Sequence, residues 1–256
     1  MKGPRRNGRP IRPRVQSSSP TLGAALRDWW RDQRRRKGIV RALLTLSAEL
    51  WGFLRDSTPQ RERLRYGDQE YDWDRRVNTT SAAVGWRNRL LGVLHSPYQP
   101  TEPGLFREMM ESLGIDEVQY AFIDLGSGKG RTLLMASEYK FRRILGVELL
   151  PELNQIAQEN IREFMNEEHG CARVESLCQD ARFFVFPQGP LLIYLFNPFL
   201  ECGLAQVVRN LEQSLQDSLR PVIVLYHNPL LANVLDGSRA FKRTSGTHQY
   251  SVYRNA

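Results

Sequence analysis

Three glycines alternate at positions 126, 128 and 130, directly after an apolar run, Ala121-Phe122-Ile123, that closes on Asp124. A helix-like stretch, Thr132 to Tyr139, follows at once. This order calls for a buried strand that feeds a helix through a turn where the backbone comes very close to something, since only residues without a Cβ make such a turn freely. No other feature narrows the possible folds as much.

The pattern then repeats. After Ala121 to Asp124 and the helix from Arg131, apolar or helical periodicity marks Arg143 to Glu148, Pro151 to Phe164, Arg173 to Leu177, Leu191 to Phe196, Gly203 to Leu219 and Val222 to Tyr226. Strands alternating with helices predict a parallel sheet covered on both faces. Leu191-Leu192-Ile193-Tyr194-Leu195-Phe196 is apolar throughout, as a strand buried on both sides should be. Phe241 to Thr244 and Gln249 to Tyr253, separated by Ser245-Gly246-Thr247, carry a hairpin signal. Ligands of such sheets bind beyond the carboxyl ends of the strands, where Asp124, Glu148, Asp180 and Asn197 all fall.

Three glycine-rich loops resemble one another here. A dinucleotide fingerprint needs G-x-G-x-x-G, but Arg131 stands where the third glycine belongs. A P-loop needs Ser or Thr after Gly-Lys to hold magnesium, and Lys129 is followed by Gly130. Asp124, Gly126, Gly128 and Gly130 fill (D/E)-x-G-x-G-x-G without a gap, which resembles motif I of the class I S-adenosylmethionine-dependent methyltransferases. The resemblance covers roughly Tyr98 to Tyr253. It implies an α/β, Rossmann-like seven-stranded methyltransferase sheet, mostly parallel with an antiparallel C-terminal hairpin, and S-adenosyl-L-methionine as cofactor.

The resemblance also assigns residues. Asp124, Gly126, Ser127, Gly128 and Gly130 would form the cofactor loop. Glu148, 24 positions after Asp124, would take the ribose hydroxyls, as the acid at the second strand's tip does in dinucleotide folds; it also suits the first turn of the helix from Pro151. Asp180, which reads equally as a polar turn residue, would face the adenine amino group. Asn197-Pro198-Phe199 resembles motif IV of amine-directed methyltransferases, with one proline where that family has two; Asn and Pro also end strands in ordinary turns. In that family the Asn oxygen and a Pro carbonyl accept hydrogen bonds from the target amine. A Tyr-x-Pro-Thr element, Tyr98 to Thr101, is similar to the non-SET branch of lysine methyltransferases and would close Tyr98 and Thr101 over the methionine end of the cofactor. It reads equally as a Pro-rich turn before a helix, Gly104 to Leu113. His227 is a candidate base if it points into the pocket, and a structural histidine otherwise. The expected activity is methyl transfer to an amine nitrogen, foremost a protein lysine. Alternatives are a small-molecule N- or O-methyltransferase and a non-catalytic nucleic-acid- or membrane-binding protein on the same fold.

Charge divides the chain. Residues 1 to 40 hold twelve Lys or Arg and two acids, a net of +10, while the whole chain is +8, so the remainder sums to −2. The basic character therefore lies outside the expected catalytic core. Residues 1 to 20 contain six basic residues and four prolines with no acid, and are expected to form a disordered tail. Such a tail suits weak electrostatic contact with nucleic acid or an anionic surface, or serves solubility alone. Residues 21 to 60 read as a helical arm with an apolar face, broken by Arg41 and Glu49 and so not a membrane span. Residues 61 to 118 read as a lid and substrate wall, with Tyr71-Asp72-Trp73-Asp74 too polar for a core strand, and 119 to 256 as the core. Cys171, Cys178 and Cys202 form no C-x-x-C pair, and the four histidines have no metal-like spacing. An odd cysteine count argues for a reducing compartment, with a cytoplasmic location expected, although an Arg-rich mitochondrial presequence has the same composition as the tail.

Overall fold

A computed structural model describes residues 69–80, 100–167 and 173–255, with isolated helical positions between 27 and 47. Two helices precede the sheet, α1 (Gln69–Asp74) and α2 (Pro103–Leu113). Then come β1 (Ala121–Leu125), α3 (Arg131–Ser137), β2 (Arg143–Glu148), α4 (Pro151–Glu167), β3 (Val174–Cys178) and β4 (Leu191–Phe196). The chain continues through α5 (Glu201–Asp217), β5 (Val222–His227), α6 (Ala232–Asp236), β6 (Phe241–Gly246) and β7 (Tyr250–Asn255).

The seven strands form one sheet in the order β3-β2-β1-β4-β5-β7-β6. The first five are parallel, whereas β7 runs antiparallel to both β5 and β6. The order reverses between β1 and β4, which places a crevice beyond their carboxyl ends.

Two cores cover the sheet, and β4 shows how its sequence serves both. Leu191, Ile193 and Leu195 join the cluster built with Leu204, Val207 and Leu211 of α5. Leu192 and Tyr194 join Phe106 and Met109 of α2 and Leu133 of α3 on the other face. Side chains of a strand alternate between faces, so an uninterrupted apolar run is what a doubly covered strand requires. Helix α2 enters through Glu102, whose carboxylate accepts from the backbone N–H groups of Gly104 and Leu105, and it stops at Gly114 in the left-handed region.

The sequence readings of the strands agree with these bounds to within a residue or two. Residues 71 to 74 are not a strand, as expected, but they do form part of helix α1. Residues 1–20, most of the arm at 21–60, and Tyr98 lie outside the described residues. Among the described residues no helix is long and apolar enough to cross a membrane.

Candidate active site

The loop from Gly126 to Gly130 connects β1 to α3, and its three glycines all have positive φ, +88°, +55° and +85°. At Gly126 the need for glycine is strict: a Cβ there would collide with the ring of Pro198, the residue after Asn197. The first glycine of the loop and the turn after β4 are therefore in van der Waals contact. Ser127 turns its hydroxyl under the loop, 2.6 Å from where a Cβ on Gly146 would stand. That hydroxyl is buried with no hydrogen-bond partner among the described residues.

Two carboxylates lie at the ends of the adjacent strands β1 and β2. Asp124 is 2% exposed and accepts a hydrogen bond from the Thr132 hydroxyl. Burial pushes its pKa from the usual 3.8 up to about 7; the Thr132 bond opposes this and the charge of Glu148 adds to it. Glu148 accepts from the Gly128 N–H and the Leu150 N–H, each at 2.8 Å. Its burial still raises the pKa, with those backbone bonds opposing the shift. Beyond β3, Gln179 donates its N–H to the Glu148 carbonyl at 2.9 Å. Asp180 follows, capping a 3-10 turn through the Arg182 N–H and pairing with the Arg182 guanidinium at 2.7 Å.

The ends of β4 and β5 build the other wall. Asn197 has φ +50°, a conformation that asparagine tolerates better than most residues. Tyr226 of β5 donates its hydroxyl to Asn197 Oδ1 at 2.9 Å, and the Leu231 N–H donates to the Tyr226 oxygen at 3.3 Å. With its oxygen accepting from that amide, the tyrosine proton is directed at Asn197, which fixes the amide's orientation. Phe199 packs beside Gly203 at the start of α5.

His227, at the end of β5, is 7% exposed and stacks on Phe196 with ring centroids 3.8 Å apart. Its Nδ1 shares a hydrogen bond with the Tyr194 hydroxyl at 2.8 Å, and Tyr194 shares another with the Thr101 hydroxyl at 2.7 Å. Burial lowers the His227 pKa from 6.5 to about 4, so the ring is neutral at pH 7 and a weak proton acceptor. Thr101, expected as a cofactor contact, is 3% exposed and is held by Tyr194.

The structure thus joins Asp124, the glycine loop and Glu148 through hydrogen bonds and strand pairing, and joins the Asn197-Pro198 turn to the loop by contact. Sequence reading missed Tyr226 and Tyr194, which hold Asn197 and His227. Their polar ends sit on residues that score as strand apolars, so the only signal was the presence of tyrosines in otherwise aliphatic strands.

The family described as Histone methylation protein DOT1 matches residues 95–174, the stretch that carries the glycine loop and Glu148. That match, the gapless loop and the antiparallel β7 of the sheet together support placing the chain with the class I S-adenosylmethionine-dependent methyltransferases. Among solved structures, it is similar to an RNA methyltransferase from Salinibacter ruber in complex with S-adenosyl-L-homocysteine, at 24% identity over 61% of this chain and 92% of that one, TM-score 0.41. A putative S-adenosyl-L-methionine-dependent methyltransferase from Methanococcus maripaludis shows 18% identity over 60% and 84%, TM-score 0.44. A ribosomal protein L11 methylase from Lactobacillus delbrueckii shows 14% identity over 62% and 90%, TM-score 0.42. No curated protein matches the sequence.

The residues present fit the methyltransferase cofactor. Asp124 and Glu148 are buried acids whose pKa values are raised by that burial, so a cation or hydroxyl donor brought to them would favour their charged forms. S-adenosylmethionine brings an ammonium, a sulfonium and a ribose diol to such a site. The loop beside the acids leaves no room for side chains at its closest approach to the Asn197-Pro198 turn.

Proposed function

We propose that this methyltransferase transfers its methyl group to an amine nitrogen and that the acceptor is a protein lysine. The carrying observation is the Asn197 amide, oriented by Tyr226 and set beside a proline that packs on the cofactor loop. The match to Histone methylation protein DOT1 supports a lysine over other amines.

In this reading Asp124 holds the cationic methionine end of the cofactor, Glu148 accepts from the ribose hydroxyls, and Asp180 borders the adenine. Gly126, Ser127, Gly128 and Gly130 supply a backbone wall, while Tyr98 and Thr101 border the methionine end. The bound cofactor supplies an already activated methyl group. The chain's own task is alignment and exclusion of water, and alignment of this type contributes roughly 7–11 kcal/mol to a barrier. Asn197 Oδ1, with one lone pair given to Tyr226, keeps a second to accept an N–H of the incoming amine. Phe199 borders the same opening. An ordinary lysine has a pKa of about 10.4, so the amine must arrive neutral or lose its proton on entry. A neutral His227 leaves that proton to solvent.

The test is to incubate the purified chain with tritium-labelled S-adenosylmethionine and a cell lysate, then separate protein, nucleic acid and small molecules. Label in protein, recovered as methyl-lysine after hydrolysis, is the expected result. Label confined to RNA or to small molecules would overturn the lysine assignment and leave the methyltransferase assignment in place.

A further inference from the structure

Two cations occupy the positions between and after the last loop glycines, Lys129 and Arg131, and both are buried, at 0% and 2% exposure. Neither is turned to solvent, as Lys and Arg ordinarily are. Both are turned to residues 69–80, which comprise α1 and the turn after it.

Arg131 donates from Nε to the Thr79 hydroxyl at 2.7 Å and from Nη2 to the Thr80 hydroxyl at 2.7 Å. Its Nη2 also meets the Asp72 carboxylate at 3.2 Å, and its guanidinium lies over the Tyr71 ring, 4.7 Å from the centroid. Asp72 in turn accepts from the N–H groups of Thr79 and Thr80 at 2.9 and 2.6 Å and from the Thr79 hydroxyl. Lys129 donates to the Asn78 side chain at 3.1 Å. Asn160 of α4 binds both partners: it donates to the Lys129 carbonyl at 2.9 Å and to the Asn78 carbonyl at 3.1 Å, and accepts from the Asn78 N–H at 2.8 Å. Segment, loop and helix α4 are tied in one buried polar network.

A buried charge is tolerated only where its partners are in place, and a planar fork such as Arg131 requires them at fixed positions. Three of the loop's five residues are left-handed glycines with little intrinsic preference for one shape. Its shape must therefore be imposed from outside, and the two cations are where residues 69–80 take hold of it.

We propose that residues 69–80 are a working part of the cofactor site, with Arg131 and Asp72 acting as positioning residues that hold the glycine loop in its binding shape. The proposal rests on the reading of that loop as the cofactor cradle. It makes full cofactor affinity depend on the segment before the sheet.

The experiment compares wild type, Asp72→Asn and Arg131→Lys in the full chain by backbone hydrogen exchange without ligand and by calorimetry with S-adenosylmethionine. The expected result is exchange at residues 126–131 at least tenfold faster in both variants, with β4 and β5 protected as in wild type. The dissociation constant should rise about tenfold in each, while kcat at saturating donor stays within twofold. Wild-type exchange in the loop, or faster exchange spread evenly over the sheet, would overturn the proposal. Where either variant does not melt cooperatively, Thr80→Val takes its place, since it removes one partner of Arg131 and keeps the side-chain shape. A wild-type chain that takes up no donor would sink the cradle reading, and loop exchange would still decide whether residues 69–80 hold the loop.

Discussion

The glycine loop has an acidic side and a basic side, and the two are buried on different terms. Asp124 and Glu148 are shielded from water with hydroxyl and backbone donors but no paired cation among the described residues, and burial raises their pKa values. Lys129 and Arg131 are shielded as completely, yet Arg131 has Asp72, Thr79, Thr80 and Tyr71 around it. Burial lowers the Lys129 pKa to about 8, and Asp72 opposes the shift. One side is completed by the fold; the other is left short of positive charge. In the proposed reading, the acids unmet at the strand ends form a binding wall and the cations met within the chain form a structural brace.

The contrast has consequences that can be measured. The largest concerns the point where the loop meets the Asn197-Pro198 turn. Gly126→Ala places a methyl into Pro198 at a φ of +88°, and activity should fall at least a hundredfold, read as kcat/KM for the donor. Next, Glu148→Ala should weaken donor binding by about 10- to 100-fold in calorimetry, in line with roughly 1.5–3 kcal/mol for hydrogen bonds to a charged group. Asn197→Ala should leave that affinity within twofold and lower kcat by a comparable factor; unchanged kcat would remove Asn197 from the acceptor site. Tyr226→Phe removes only the hydroxyl that orients Asn197, and a loss of kcat of about 3- to 10-fold is expected from roughly 0.5–1.5 kcal/mol per neutral hydrogen bond.

The most subtle prediction is a pH dependence. The folded pKa of Asp124, about 7, lies above its usual 3.8. Between those values the native chain holds a proton that the unfolded chain has released. The contribution of Asp124 to stability is therefore full below about pH 4 and is lost as pH rises through 7, on the order of a few kcal/mol. His227 acts in the opposite sense, since its pKa is lowered to about 4 and its contribution grows as pH rises through 6.5. The difference between wild type and Asp124→Asn in urea melts at pH 5 and pH 8 isolates the carboxylate. A flat difference would show that Asp124 is ionised in the free protein at pH 5. Cofactor affinity, conversely, should tighten from pH 6 to 8 as the acid gives up its proton to meet a cation.

The parts of this molecule that sequence reading finds are those whose cause is local. An unbroken apolar run at 191–196 has one reading, a strand covered on both faces, and the glycine loop at 126–130 needs no distant partner to be recognised. Asp124 and Glu148 follow because strand ends set their position. The brace at Asp72 was not visible for the opposite reason. QEYDWD has too few apolar residues to suggest a packed helix, and its anchor is a guanidinium 59 positions away, a residue type expected in water. Thr101 was expected at the cofactor; its hydroxyl is bonded to Tyr194, 93 positions on, a partner that no periodicity could name. Asp180 was placed correctly as a strand-end acid, but its ion pair with Arg182 depends on the 3-10 turn that follows.

Strand β7 stands between β5 and β6 although both are earlier in the chain, and it is the piece that joins them. It carries the Arg254 guanidinium to the Leu113 carbonyl at 2.6 Å and the Tyr253 hydroxyl to Asp236 at 2.9 Å. Until β7 is in place, β5 keeps one unpaired edge and β6 has no sheet partner. A chain lacking those residues would present the bare backbone edge of β5 to other chains, a ready template for strand-to-strand aggregation.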